Sequence, residues 1–373
     1  MRLNAVLLTV VVVASGFAAG GSGVAAAPDG ATLAQSDCTF PVSVTDTTGT
    51  EVTVEERPER VVVLQPSDAQ AAWAVGAEDR VVGMQQTQYT AYLDGREGIT
   101  DVVNDDLSVN VEQVVGLNPD IVLAANTTSV ETVRQLRTAG ITVYHFGLVT
   151  SLDEIETNLE TTGALLGACD GAREASTEFR LGVERAERAA ELAENNPRVL
   201  YYFFGTTTGT GTHIHDVLTT AGGTNVAAEA GIEGYRQLSE EVVVDSDPEW
   251  IAYPGDATIP RTAAYNGTTA LQRSQTIELQ SNYISQPGPR VTQPLTRLAK
   301  EWHPDALDRA NESITREDVR TATETVADTE TPEATTAETD AAETTAASGP
   351  GLGAGVATAA IALAAVLGLA RRR

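Results

Sequence analysis

The chain has 373 residues, 52 of them acidic and 24 basic, for a formal net charge of −28. Such a surface repels nucleic acid and anionic lipid, which excludes DNA and RNA as partners. Lys300 is the only lysine, and acidic residues run from Asp46 to Asp318 in a chain that is 42% hydrophobic. The composition is that of a folded protein in a high-salt environment, where screening makes the self-repulsion tolerable.

Residues 1–27 carry Arg2, an apolar run over 5–19 and the small residues Val24, Ala25, Ala26 and Ala27, the pattern of a secretory signal peptide. Phe40, Val42 and Val44, then Thr47-Thr48-Gly49, then Val52 and Val54 alternate as in a hairpin. Residues 60–64 read as a buried parallel strand, followed by a helix with Ala69, Ala72, Trp73 and Val75. Strands are expected over 81–84, 121–124 and 141–146, and helices over 111–117, 130–139 and from the capping box Ser151–Glu154 to Gly167. This alternation describes an α/β lobe over 38–168 with a parallel sheet.

Residues 172–194 give the longest helical pattern. Phe179, Val183, Ala186, Ala190 and Ala193 share one face, while Arg and Glu fill the other. Asp170 is placed to cap it and Pro197 to end it, so 169–196 reads as a connecting helix, the periodic part being roughly 34 Å long. Beyond it the plan returns over 197–310. Residues 197–203 mirror 58–64. Glu241 stands seven residues before Pro248-Glu249 as Glu112 stands seven before Pro119-Asp120, and an apolar strand follows each. The expected fold class is α/β, two Rossmann-like lobes joined by a single long helix.

Cys38 and Cys169 are too far apart in sequence for a CxxC motif. In an exported chain the leading reading is a disulfide between the N-terminal segment and the start of the long helix, with two free thiols as the alternative. Lipidation of Cys38 is disfavoured, because Gln35-Ser36-Asp37 is no lipobox. Residues 311–348 are rich in Thr, Glu and Ala and read as a disordered stalk. Residues 352–370 are uncharged and end in Arg371-Arg372-Arg373, a transmembrane pattern whose Arg cluster stays cytoplasmic. With the Gly-Pro-Gly-Leu-Gly stretch before it, the 349–373 segment resembles the PGF-CTERM sorting signals of halophilic archaea, with Leu352 standing where that signal carries Phe. Either an attached lipid or the span itself then tethers the globular part to the extracellular face of the membrane.

The run 60–67, the two Glu…Pro-acid units, the stretch THIHDVLTTAGG over 212–223, and Pro287-Gly288-Pro289-Arg290 followed by His303-Pro304 fall in one order. That order resembles the solute-binding proteins of ABC importers for cobalamin and iron(III)-siderophores, over about residues 40–307. The resemblance implies a monomer of two lobes on a helical backbone, with ligand held between them and handed to permease and ATPase subunits. It also implies that Glu112 and Glu241 dock on the permease; the alternative is that each caps its own helix.

In open α/β sheets ligands gather at the carboxyl ends of strands. That rule nominates Gln65 and Ser67, Asn126, Phe204 and Pro254. Tyr89, Tyr92 and Tyr283 lie in loops and suit a flat chelate such as a corrin, a haem or a siderophore complex. Arg290 is placed to pair with a ligand carboxylate, or else to lock the last lobe. His213 is a candidate to reach the ligand. His213 and His215 with Asp216 are the least favoured reading, a metal-dependent enzyme site, since two positions apart on a helix they do not share a face. No protein-bound metal or cofactor is expected. No Gly-x-Ser-x-Gly elbow, P-loop, dinucleotide fingerprint or His-Glu-x-x-His motif occurs, so catalysis is not expected either. A haem or metal-ion receptor of the same fold is the remaining alternative.

Overall fold

The computed structural model describes residues 38–321. The signal peptide, most of the stalk and the sorting segment lie outside them. The first half runs β1 (Val42–Thr45), β2 (Glu51–Val54), β3 (Val61–Val63), α1 (Pro66–Ala74), β4 (Val81–Met84), β5 (Thr100–Asp101), α2 (Val111–Gly116), β6 (Ile121–Ala124), α3 (Val130–Thr138), β7 (Val143–His145) and α4 (Leu152–Leu166). After α5 (Cys169–Leu192) come β8 (Arg198–Tyr201), β9 (Thr206–Thr208), α6 (His213–Thr220), β10 (Thr224–Asn225), α7 (Val226–Glu229), β11 (Tyr235–Gln237), α8 (Glu240–Ser246) and β12 (Trp250–Pro254). The chain continues through α9 (Ala263–Asn266), α10 (Thr269–Gln272), β13 (Thr276–Leu279), α11 (Ser281–Ile284), α12 (Thr292–Trp302) and α13 (Pro304–Ser313).

The first sheet is parallel throughout, in the order β5-β4-β3-β6-β7. The second is parallel in the order β10-β8-β12-β13. Strands covered on both faces carry no alternation, and all three valines of β3 are fully buried. The order in which strands are added reverses between β3 and β6 in one sheet and between β8 and β12 in the other. Those two gaps are the topological switch points, where loops part and leave a crevice.

The expected class of fold is observed, with local differences. β5 and the β9–β11 ribbon have no clear signal, being two or three residues long and polar. The N-cap of α5 is Ala168, two residues before the expected Asp170, which lies inside the first turn paired with Arg173. The helix ends at Leu192, short of residue 196, and Ala193 is already extended. Residues 311–313 belong to α13, residues 316–321 are helical and Val319 is fully buried, so ordered structure extends past the expected start of the stalk.

α5 is not a free-standing rod. It packs against α4, α12 and α13 and touches α1 and α6. Phe179, Val183, Ala186 and Ala189 enter one continuous apolar cluster that includes Val61 and Leu123 from the first half and Tyr201 and Leu218 from the second. Trp73, Trp250 and Trp302 pack on that cluster. The Cys38–Cys169 disulfide joins the N-terminal segment to the first residue of α5.

Close approach at the head of α5 depends on Gly171, where a Cβ would overlap the Val75 carbonyl at the end of α1. Gly→Ala inside a helix gains about 1 kcal/mol of propensity, but a clash with backbone costs about 1–3 kcal/mol. Gly171→Ala is therefore expected to lower the denaturant midpoint measured in molar salt; an unchanged or raised midpoint contradicts this packing.

Candidate ligand cleft and docking faces

The first switch point is held by one carboxylate. Asp68, in the first turn of α1, accepts through Oδ2 from Gln65 N at 3.1 Å and from Ala125 N at 2.9 Å. It ties the loop after β3 to the loop after β6. Gln65 Nε2 adds a bond to Thr128 Oγ1 at 3.2 Å. Ser67, Asp68 and Asn126 line a narrow recess together with Pro287, Gly288 and Pro289. Asp68 is buried, and burial raises its carboxyl to about 7 against the pull of the two amides.

Beside the recess the two halves meet through one buried amide. Gln286 Oε1 accepts from Gln70 Nε2 and from Tyr92 Oη, each at 2.7 Å. Its Nε2 donates to the Tyr89 carbonyl at 2.9 Å and to Asn282 Oδ1 at 3.3 Å. All four hydrogen-bonding positions of the amide are used. Tyr92 and Tyr283 meet edge to face at 5.3 Å, and the Arg290 guanidinium lies 5.0 Å from one ring and 5.5 Å from the other. Arg290 Nη1 donates to Tyr283 Oη at 3.1 Å, and its backbone N–H to Gln70 Oε1 at 3.2 Å. Burial pushes the Tyr92 phenol well above its usual range. Tyr92 and Tyr283 both follow the carboxyl ends of strands, β4 and β13, as the rule requires.

At the second switch point the chain turns over two residues. Phe203 and Thr206 exchange backbone bonds of 2.9 and 2.8 Å around Phe204 and Gly205, whose φ angles are +46° and +80°. Gly205 adopts this conformation freely; Phe204 is held there at a cost, and the residue is 56% exposed. Loops after β12 and β13 are joined by Ser281 Oγ, which donates to Asp256 Oδ1 at 2.7 Å.

Of the nominated ligand residues, Ser67 and Asn126 share the recess, with Gln65 bonded beside it. Tyr92, Tyr283 and Arg290 form the aromatic cluster, and Tyr89 contributes its carbonyl to the same network. Phe204 lies apart from both groups on its turn, edge to face with Phe203 at 5.1 Å, and Pro254 is buried at the end of β12. His213 does not reach this surface: it is buried, its Nε2 sits 2.9 Å from the Ile284 carbonyl, and burial pushes its imidazole down to about 4. The other histidines are also engaged within the fold. His145 faces the Thr128 carbonyl, His303 the Gly222 carbonyl, and His215 Nδ1 the Asn225 amide. Asp68, Gln70 and Gln286 are not among the nominated residues. An acid at the third position of a helix was visible as a cap, whereas the pairing of Gln70 with a residue 216 positions away was not.

The two Glu…Pro-acid units fold alike. Glu112 is the second residue of α2 and Glu241 the second of α8, and the N-caps are supplied by the side chains of Asn110 and Ser239. Capping is thus not the work of either glutamate, and both are exposed. Each helix ends on a residue of positive φ before the proline, Asn118 at +46° and Asp247 at +36°. Arg60 Nη2 reaches the Leu117 carbonyl at 2.6 Å and Arg198 Nη2 the Ser246 carbonyl at 2.9 Å. Asp120 accepts from Arg60 N at 2.8 Å and Glu249 from Arg198 N at 2.9 Å. The same clasp welds each helix to the first strand of its own sheet.

The sequence profile of the periplasmic binding protein family matches residues 61–283. The chain belongs to that family. It is 38% identical over 279 residues to a cobalamin-binding protein of Halobacterium salinarum, spanning 71% of this chain and 75% of that one. It is 26% identical over 280 residues to the ABC transporter substrate-binding lipoprotein YvrC of Bacillus subtilis, spanning 72% and 87%. Among solved structures, the periplasmic haem-binding protein RhuT of Roseiflexus sp. RS-1 in its apo form superposes with a TM-score of 0.58 at 25% identity, covering 67% of this chain and 99% of that one.

A carboxyl whose folded pKa lies near 7 against about 4 unfolded binds more protons in the native state between those values. Its contribution to stability is fully present below about pH 4 and is lost as pH rises through about 7. Asp68→Asn keeps an acceptor for the two amides and removes the titration. The difference between wild-type and Asp68→Asn melting temperatures is expected to change across pH 4–7, the variant gaining relative stability as pH rises; parallel curves contradict it.

Proposed function

We propose that this chain is the extracellular substrate-binding subunit of an ABC importer, and that its ligand is cobalamin. The observation that carries the ligand assignment is the cluster of Tyr92, Tyr283 and Arg290 where the two halves meet; Phe204 adds an exposed aromatic residue at the second switch point. Aromatic faces and one guanidinium suit a broad, flat ligand bearing an anionic group. All four histidines are bonded within the fold and the Tyr92 phenol resists ionisation. A corrin brings its metal with equatorial positions filled, so it asks for surface and hydrogen bonds rather than a protein ligand to the metal. The Halobacterium relative, named for cobalamin, supports the same reading.

Capture needs no chemistry from the chain. Glu112 and Glu241, presented alike by the two halves, dock on a permease made of two equivalent subunits. The 349–373 segment tethers the protein on the outer face of the membrane, and a monomer suffices, since both docking faces belong to one chain.

Haem is the second reading, favoured by the bond from Arg290 to Tyr283 Oη, a donor that would stabilise a phenolate bound to iron. Calorimetric titration in molar salt separates them: saturable cyanocobalamin binding with no Soret shift on adding haemin is expected, and the reverse pattern selects haem. Phe204→Gly is expected to weaken cobalamin binding about tenfold through loss of a stacking face while raising the melting temperature, because Gly relieves the positive φ. A more stable variant with unchanged affinity removes Phe204 from the site.

A further inference from the structure

The equivalent helices α2 and α8 share more than their glutamates. In both, the fourth residue is a fully buried valine, Val114 or Val243. In both, the fifth is an exposed valine, Val115 at 38% and Val244 at 56%. Helix positions two and five lie three apart and so share a face. Each helix therefore sets a carboxylate beside an uncovered apolar side chain. Only seven large apolar side chains are exposed among the described residues, and two of them stand at this one register. The clasps Arg60–Asp120 and Arg198–Glu249 hold both helices in equivalent poses against their sheets.

We propose that the permease is gripped twice by a mixed contact, Glu112 with Val115 on one half and Glu241 with Val244 on the other. The partner surface then offers, at two places related by its own two-fold axis, a guanidinium or ammonium bordered by an apolar socket. This rests on the docking reading given above and extends it. Charge alone is a poor address here: the chain carries −28 overall, so exposed carboxylates abound. In about 1 M salt the screening length shrinks to about 3 Å, which leaves an exposed ion pair weak. Salts that strengthen apolar association act in the opposite sense on the valines. A carboxylate supplies orientation, and the valine beside it supplies attraction that survives salt.

The test is saturable binding of the labelled full-length chain to right-side-out membrane vesicles from a host deleted for its own copy, at about 1 M and about 4 M NaCl. Wild-type affinity is expected to hold or rise with salt. Val115→Ser/Val244→Ser is expected to weaken binding about tenfold, most at the higher salt, with ligand affinity unchanged; Val115→Leu/Val244→Leu is expected to bind at least as tightly as wild type. If the serine variant binds like wild type while Glu112→Gln/Glu241→Gln does not, the mixed contact is wrong and simple electrostatic docking stands. If the glutamine variant also binds like wild type, or wild type shows no saturable component, the docking reading falls and this inference with it.

Discussion

Phe179, Val183, Ala186 and Ala189 line one face of α5 and are buried by both halves at once. Separating the halves would expose that face together with the strands and helices packed on it, at about 25 cal/mol for each Å² returned to water. Bending the helix instead would break backbone hydrogen bonds along it. Both sheets are thus committed to one arrangement. Capture of a ligand falls to loops and side chains, among them the strained Phe204 turn, rather than to swinging of one half against the other.

Polar groups buried between the halves work in the same direction. Gln286 uses every hydrogen-bonding position it has, and three of its four partners, Gln70, Tyr89 and Tyr92, come from the other half. A buried amide so paired tolerates no sliding, because a shift that breaks one bond strands the others in a low dielectric. Asp68 does the same within the first half at the cost of a carboxyl that burial makes reluctant to ionise. Neither residue needs to touch ligand to set the shape of the site.

The large elements were legible in the sequence because their periods are strong. The run around Val62, the capping box at Ser151 and Glu154, and the apolar face through Phe179 each predicted its element within a few residues. The doubled Glu…Pro-acid unit was legible as text, but its matched clasps were not, because Arg60 and Arg198 act on carbonyl groups that any residue type supplies. Short polar strands such as β5 and β9 carry no apolar alternation and escaped notice. His213 misled for a related reason: a histidine beside a candidate loop says nothing of which way its ring turns, and here it turns inward to Ile284.

Both ends of the described chain are fastened to the same helix. Cys169, the first residue of α5, is bonded to Cys38, while Arg185 holds the Ile314 carbonyl at 2.9 Å and Glu174 pairs with Arg316. A pull transmitted along the polypeptide beyond residue 321 is delivered to these fastenings on α5 before it reaches either sheet. The backbone helix, and neither sheet, is thus the first mechanical support of the C-terminal segment.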